Sequence, residues 1–118
     1  MKSNRHKTYQ TLLCGYLKMG NNIVCKEFAG ADCVVFCQTP LKITVAYEIE
    51  MTPRWAINNI RRDLLSGCDR IIVLTKDEKV LKTIQNKIVC SVDISDQNKI
   101  QLHIFSEFIT KNKEILYS

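Results

Sequence analysis

One strand-like stretch, Ile43–Glu50, constrains the fold more than any other part of the sequence. Most of its residues are β-branched or aromatic, which favours a strand, and residues 51–53 after it are typical of a helix start. A strand this apolar belongs in the middle of a sheet, where both faces are covered. Two glutamates, Glu48 and Glu50, nevertheless occur at its end. Their mutual repulsion must be relieved by water, by a basic neighbour or by a metal ion.

The alternation of side chains along a strand predicts the two faces of this stretch. One face is entirely apolar, whereas the other combines a threonine and an alanine with the two glutamates. The apolar face comprises Val45, Tyr47 and Ile49, and the opposite face comprises Thr44, Ala46, Glu48 and Glu50.

The segments before this stretch are predicted to form one helix and two strands. Apolar residues recur at helical spacing as far as Gly20, a residue type that suits a helix end. Strands are then expected at Ile23–Phe28 and Asp32–Gln38, and a tight turn at Thr39-Pro40 leads into the central strand. Three strands with short connections favour an antiparallel meander.

After the central strand, the spacing of the apolar residues changes from that of a strand to that of a helix. Thr52 is expected to cap a helix, with Pro53 in its first position and Gly67 at its end. Asp69–Leu74 is a nearly continuous apolar run, as expected of a parallel strand that is covered on both faces. Strand, helix and strand together predict a right-handed crossover unit.

The C-terminal part is predicted to contain one more helix and one or two strands. Residues 75–78 have the spacing of a capping box that begins at Thr75. Val89–Ile94 is a candidate short strand, and Ile100–Phe105 is expected to be the last strand, followed by a short basic tail. The resulting order, α-β-β-β-α-β-α-β, is that of a mixed α/β fold in a single domain covering residues 1–118.

Composition limits the classes of protein to consider. The chain has 118 residues, of which 46% are hydrophobic and 25% charged, as in an ordinary globular domain. No apolar run reaches the roughly 18 residues of a membrane span, and no signal-peptide core follows the N-terminus, so we expect a cytoplasmic protein without a membrane partner. The six cysteines lack the spacing of a metal or disulfide framework, and we expect reduced, mostly buried thiols.

Three carboxylates stand out by position. Asp32 opens the second predicted strand, and Glu48 and Glu50 close the third. In a meander the start of one strand lies beside the end of the next, so these groups are expected to converge. Converging oxygen ligands suit Mg²⁺ or Mn²⁺, which can activate a water and stabilise a phosphodiester transition state. The alternative is a solvated strand end, with Asp32 merely beginning a strand.

Two short motifs carry a resemblance to a known family. Gly30-Ala31-Asp32 and the Glu48-Ile49-Glu50 triplet, set in a predicted αβββαβ order, resemble the PD-(D/E)XK nuclease superfamily. The resemblance covers roughly residues 5–90 and implies a restriction-endonuclease-like or Holliday-junction-resolvase-like fold, with a mixed central sheet flanked by helices. It extends to a glutamate after the first strand, Glu27, and to an asparagine in the following helix, Asn59.

The resemblance implies a metal-dependent DNA endonuclease that hydrolyses phosphodiester bonds. Asp32 and Glu48 would hold Mg²⁺ (or Mn²⁺), and Glu50 would stand where the family has lysine, as a general base or as a further metal ligand. Possible accessory residues are Glu27, Lys26 and Asn59, and Lys26, Arg54 or Arg61 could take over the role of the lysine.

The resemblance implies DNA as the partner, and the net charge of +5 is compatible with a polyanion. Arg54, Arg61 and Arg62 are candidates for contacts to its backbone, although a pair of helix arginines also suits a solvated face. Cutting both strands would require a homodimer. The alternative function is a catalytically inactive nuclease-fold module that binds nucleic acid or a protein partner.

His6 lacks an evident partner in the sequence, and Trp55 is interpreted as a packing or interface residue.

Overall fold

The computed structural model describes residues 3–18, 23–37 and 42–117, with side chains as far as residue 111. It contains a five-stranded mixed sheet in the order β1-β2-β3-β4-β5, flanked by helices. The strands are β1 (Ile23–Lys26), β2 (Cys33–Cys37), β3 (Ile43–Glu50), β4 (Arg70–Thr75) and β5 (Ile100–Ile104). The helices are α1 (Asn4–Leu17), α2 (Ala56–Leu65), α3 (Glu78–Ser91), α4 (Ile94–Gln97) and α5 (Phe105–Tyr117).

The pairing of the strands divides the sheet into two parts. Strands β1, β2 and β3 form an antiparallel meander, as the sequence predicted. Strands β3, β4 and β5 are parallel, since α2 and α3 provide the crossover connections. The prediction of an α/β fold is therefore confirmed, and β3 is the middle strand of five.

The two predicted faces of β3 contribute to two different cores. Val45, Tyr47 and Ile49 lie in a cluster with residues of α1 and α5. Ala46 lies in the opposite cluster, where Ile60 of α2 is completely buried. The alternation read from the sequence is thus confirmed, and both faces of the central strand are covered.

Helix α2 begins later than predicted. Thr52 and Pro53 lie in the turn before it, the helix starts at Ala56, and the capping position is held by Trp55, which makes no side-chain cap. The Pro53 carbonyl accepts a hydrogen bond from the Ala56 N–H, and the Trp55 carbonyl accepts one from Asn59. A turn therefore provides the first acceptors, and Thr52 is not the cap. Gly67, with φ of +85°, follows the helix, as expected of its end.

Two predictions for α3 are wrong at its ends. Asp77 caps the helix, accepting from the Val80 N–H at 2.9 Å, whereas Thr75 is the last residue of β4 because it pairs with Glu50. The predicted strand Val89–Ile94 is absent from this described region, where α3 continues to Ser91 and α4 follows. The physical reason is that the buried Ile84 and Ile88 and the next buried residue, Val92, recur at helical spacing.

The chain also departs from prediction near β1 and after β5. Strand β1 ends at Lys26 because Glu27, with φ of 54°, adopts the left-handed region and starts a 3₁₀ turn. Helix α5 replaces the predicted basic tail, because Phe105 packs on α1 and stacks against Tyr9 at a centroid distance of 4.2 Å. The predicted features at Gly20 and Thr39-Pro40 lie outside the described residues.

Two further expectations concern thiols and membranes. All six cysteines are free; Cys14, Cys33 and Cys68 are buried, whereas Cys90 is exposed. Within the described ranges, no helix combines the length and apolar character that crossing a membrane requires.

Candidate active site

The C-terminal end of β3, which carries Glu48 and Glu50, borders a cavity of about 410 Å³. Asp32, Glu48 and Glu50, the three acids singled out from the sequence, all line it. Their neighbours on the cavity wall come from three other segments: His6 from α1, Trp55 from the turn before α2, and Asn59 and Arg62 from α2.

The register of β2 and β3 explains why Asp32 reaches the two glutamates. Cys33 pairs with Tyr47, so the residue before Cys33 lies beside the residue after Tyr47. The Ile49 N–H donates a hydrogen bond of 2.8 Å to Oδ2 of Asp32. The meander therefore brings Asp32 to the end of β3, as the sequence predicted.

Helix α1 holds Asp32 from the other side. Nε2 of His6 lies 3.2 Å from Oδ2 of Asp32, and Nε2 of Gln10 donates to the main-chain carbonyl of Asp32 at 2.8 Å. All three residues are buried. His6 and the Ile49 N–H thus fix the orientation of the carboxylate, and Gln10 holds the main chain of Asp32.

The partner of His6 was not predicted from the sequence. The helical spacing of His6 and Gln10 with Leu13 and Leu17 could have indicated that both polar side chains are buried, since all four residues lie on one buried face of α1. Two polar residues on an otherwise buried helix face require polar partners. Asp32 supplies them.

Glu48 is almost completely buried and is bound to arginine. Its Oε2 accepts a hydrogen bond from Nη2 of Arg62 at 2.6 Å, and the same nitrogen lies 3.4 Å from Oδ1 of the buried Asp63. Burial, followed by the interaction with Asp63, raises the pKa of Glu48 to about 11, against the opposing effect of Arg62. One guanidinium faces two buried carboxylates, so the pair retains a proton or requires a further cation.

Glu50 is buried beside Asn59. Nδ2 of Asn59 donates a hydrogen bond of 2.7 Å to Oε1 of Glu50, and Oδ1 of Asn59 accepts one from Nη1 of Arg62 at 3.1 Å. Burial raises the pKa of Glu50 to about 7, although the hydrogen bond from Asn59 opposes the shift. A carboxyl with this pKa exchanges its proton near neutral pH, as a general base must.

Arg62 is the basic neighbour that relieves the repulsion at the end of β3. The sequence offered it only as a DNA-binding candidate or as part of a solvated helix face. Its side chain instead turns into the cavity, where it is 35% exposed and contacts Glu48 and Asp63. The long arginine side chain one turn after Asn59 reaches back to the sheet, a contact that spacing alone does not specify.

The remaining candidates are not among the described residues that line the cavity, although the Glu27 N–H donates a hydrogen bond of 3.0 Å to the main-chain carbonyl of Asp32. Lys26, Glu27 and Arg61 are exposed. Gln10 contacts Glu27 at 3.5 Å, and Nη2 of Arg61 donates to the Ser91 carbonyl at 2.8 Å. Arg54 lies next to the cavity, with its guanidinium carbon 4.9 Å from the centroid of the Trp55 ring.

Whether the cavity can hold a metal ion depends on how many side chains the ion needs as ligands. Among the side chains that the structure describes, no three His, Cys, Asp or Glu residues are grouped closely enough to hold an ion together. Mg²⁺ usually keeps several waters and uses one or two carboxylates. Asp32 and Glu48, two buried carboxylic acids that line the same cavity, are a ligand set of this smaller size.

No protein-family model matches the chain, and no curated protein is significantly similar to it.

Proposed function

We propose that this chain is a metal-dependent DNA endonuclease, which hydrolyses phosphodiester bonds in the cavity at the end of β3. The observation that carries the proposal is the convergence of Asp32, Glu48 and Glu50, all buried, on one cavity. Buried carboxylates are costly unless a partner compensates their charge, and three that face one solvent-accessible space are typical of functional sites.

Asp32 and Glu48 are the proposed ligands of Mg²⁺ or Mn²⁺. Asp32 is oriented by the Ile49 N–H and by His6, as outer partners commonly orient a metal ligand. The ion, when bound, supplies positive charge for the phosphate and lowers the pKa of a coordinated water.

Glu50 is the proposed general base. With a pKa of about 7, a large fraction of the Glu50 side chains is deprotonated at neutral pH. The same pKa makes this carboxylate basic enough to accept a proton from an attacking water. Asn59 holds the carboxylate through a hydrogen bond to Oε1. Glu50 would thus occupy the position at which the nucleases that the sequence resembles carry lysine, in a different chemical role.

Arg62 is the proposed phosphate ligand. In the absence of a metal it binds Glu48, and a cation bound by Glu48 would compete for that carboxylate. The guanidinium, still held by Asn59 through Nη1, would then be available to an oxygen of the scissile phosphate. Arg62 would thus link metal binding to substrate binding.

A cleavage assay tests the proposal. The protein is incubated with supercoiled, linear and branched DNA in Mg²⁺, in Mn²⁺ and in EDTA. We expect cleavage that requires the metal and that is lost in the double variant Asp32→Ala plus Glu48→Ala. The matched control is Glu78→Ala, since Glu78 is an exposed acid on α3 that lies outside the cavity. Absence of cleavage in every metal, or equal cleavage by the double variant, would contradict the proposal.

A second candidate function is a nuclease-fold module that binds nucleic acid or a protein without cleaving it. The bond of 2.6 Å between Arg62 and Glu48 favours it, because an arginine can neutralise a carboxylate permanently in place of a metal ion. This candidate predicts binding of DNA or protein that is indifferent to EDTA and to the Glu48→Gln substitution. The nuclease predicts metal binding that Glu48→Gln weakens.

A further inference from the structure

The single tryptophan of the chain lies at the mouth of the cavity. Trp55 lines the same wall as the three acids, yet its side chain is 55% exposed. Among the described residues, its ring has a cation–π contact with Arg54. A large exposed aromatic side chain beside a polar cavity is a common feature of ligand-binding sites.

Arg54 and the start of α2 fix the orientation of this ring. The guanidinium carbon of Arg54 lies 4.9 Å from the ring centroid, within the range of a cation–π contact. The main chain of Trp55 occupies the capping position of α2, and its carbonyl accepts from the Asn59 N–H at 3.0 Å. The ring is therefore attached to the same helix turn that positions Asn59 over Glu50.

The surroundings of Trp55 favour one kind of ligand. Most side chains of the cavity wall are polar or charged, with Thr52, Asn59 and Arg62 alongside the acids, so an apolar helix of a protein partner would leave these groups unpaired. A nucleobase offers both a flat face for the ring and polar edges for such neighbours. Arg54 lies over one face of the ring and adds a positive charge beside it, which favours a polyanionic strand.

The size of the cavity suits a single nucleotide. A volume of about 410 Å³ lies near the lower end of the range for small-ligand pockets, roughly 300–1,000 Å³. The face of a base is covered by its neighbours inside a duplex and becomes accessible when the base is unpaired.

We propose that Trp55 is a stacking platform for an unpaired nucleobase, and that the substrates of this site are DNA molecules with a single-stranded segment next to the cleaved bond. The part that concerns cleavage rests on the nuclease function proposed above. The stacking contact itself does not, because binding can be measured without cleavage.

The fluorescence of the single tryptophan provides the test. The full-length protein is titrated with a short oligothymidylate in EDTA, which prevents cleavage, and separately with an abasic oligonucleotide of the same length and charge. We expect quenching of Trp55 fluorescence by the oligothymidylate and little or none by the abasic strand. In a parallel fluorescence-anisotropy assay with labelled oligothymidylate, Trp55→Ala is expected to lose about tenfold or more in affinity, and Trp55→Phe to lose much less.

Leu65→Ala is the matched control, because Leu65 is 89% exposed and lies on α2 outside the cavity. It should bind the oligothymidylate like the parent chain. Equal quenching by the abasic strand, no quenching at all, or unchanged affinity in Trp55→Ala would overturn the stacking proposal even if DNA is cleaved. Quenching without metal-dependent cleavage of any DNA would instead leave the stacking contact standing and contradict the nuclease.

Discussion

Nη2 of Arg62 lies 2.6 Å from Oε2 of Glu48, a carboxylate that is only 2% exposed. This contact is how the protein accommodates one of the two acids at the end of its central strand. The other, Glu50, is held by Asn59. Both partners come from α2, the helix that follows β3 directly in the chain, so the strand and its crossover helix together form the charged wall of the cavity.

Removal of the arginine is the first prediction. Arg62→Ala leaves the buried Glu48 and Asp63 without a guanidinium, and we expect it to lower the free energy of unfolding in EDTA by about 2 kcal/mol. This is less than the roughly 3–5 kcal/mol of a fully buried pair, because Arg62 is partly exposed. Mg²⁺ should restore part of the loss by supplying another cation. Urea unfolding with and without Mg²⁺ measures both effects.

The neighbouring arginine provides the control for this experiment. Arg61 is exposed and donates to the Ser91 carbonyl, so Arg61→Ala should change stability by less than about 0.5 kcal/mol and should not respond to Mg²⁺ differently from the parent chain. Equal losses in Arg61→Ala and Arg62→Ala would show that the Arg62–Glu48 contact contributes little.

The second prediction concerns His6 as a positioning residue. His6→Ala removes the contact to Oδ2 of Asp32, and we expect the apparent affinity for Mn²⁺ to fall by about 10–100-fold, as for other outer partners of metal ligands. His6→Gln, which can still donate to Asp32, should recover much of the affinity. Lys7→Ala, an exposed neighbour on α1, is the control. A purely structural role would lower stability in His6→Ala and leave the metal affinity of the folded protein unchanged.

The third prediction is a dependence of stability on pH in the absence of metal. The pKa of Glu50 is raised from 4.5 to about 7 in the folded protein, chiefly by burial, so the folded state binds more protons than the unfolded state between these values. Stability should therefore be greatest below the unfolded pKa and fall as the pH rises towards 7, by up to about 3 kcal/mol. Glu48 contributes in the same direction, since its pKa is also raised.

Urea unfolding in EDTA from about pH 5 to about pH 8 measures this slope. Glu50→Gln should flatten it, because the amide does not titrate. Mg²⁺ should oppose the loss most at the higher pH, where Glu50 has released its proton and a cation can compensate its charge. A stability that rises steadily over this range in the parent chain would contradict the burial of an uncompensated carboxyl.

The central strand could be predicted because features of the nearby sequence determine it. β-Branched residues define its extent, the period of two assigns its faces, and short connections place it third in a meander. The acids followed from the same reasoning, since the register of β2 against β3 depends on neighbouring strands only. The sheet and the positions of Asp32, Glu48 and Glu50 could therefore be predicted from the sequence.

The parts that could not be predicted depend on side chains that reach across elements. His6 is distant from Asp32 in the sequence, and the contact exists because α1 packs across the meander. From the sequence, the side chain of Arg62 could point to solvent or to the sheet. It points to the sheet because it binds the buried carboxyl group of Glu48. The start of α2 was misjudged because Thr52 has the residue type of a cap, whereas the Pro53 turn supplies the acceptor.

Calorimetric titration of the metal-free protein with Mn²⁺ tests the central claim, that the acids at the end of β3 form a divalent-metal site. Titrations at neutral pH in two buffers of different ionisation enthalpy separate the heat of binding from the release of protons. We predict saturable binding accompanied by proton release, weakened at least about tenfold in Glu48→Gln and unchanged in Glu78→Ala. Absence of binding to the folded parent chain, or equal binding by Glu48→Gln, would contradict the account.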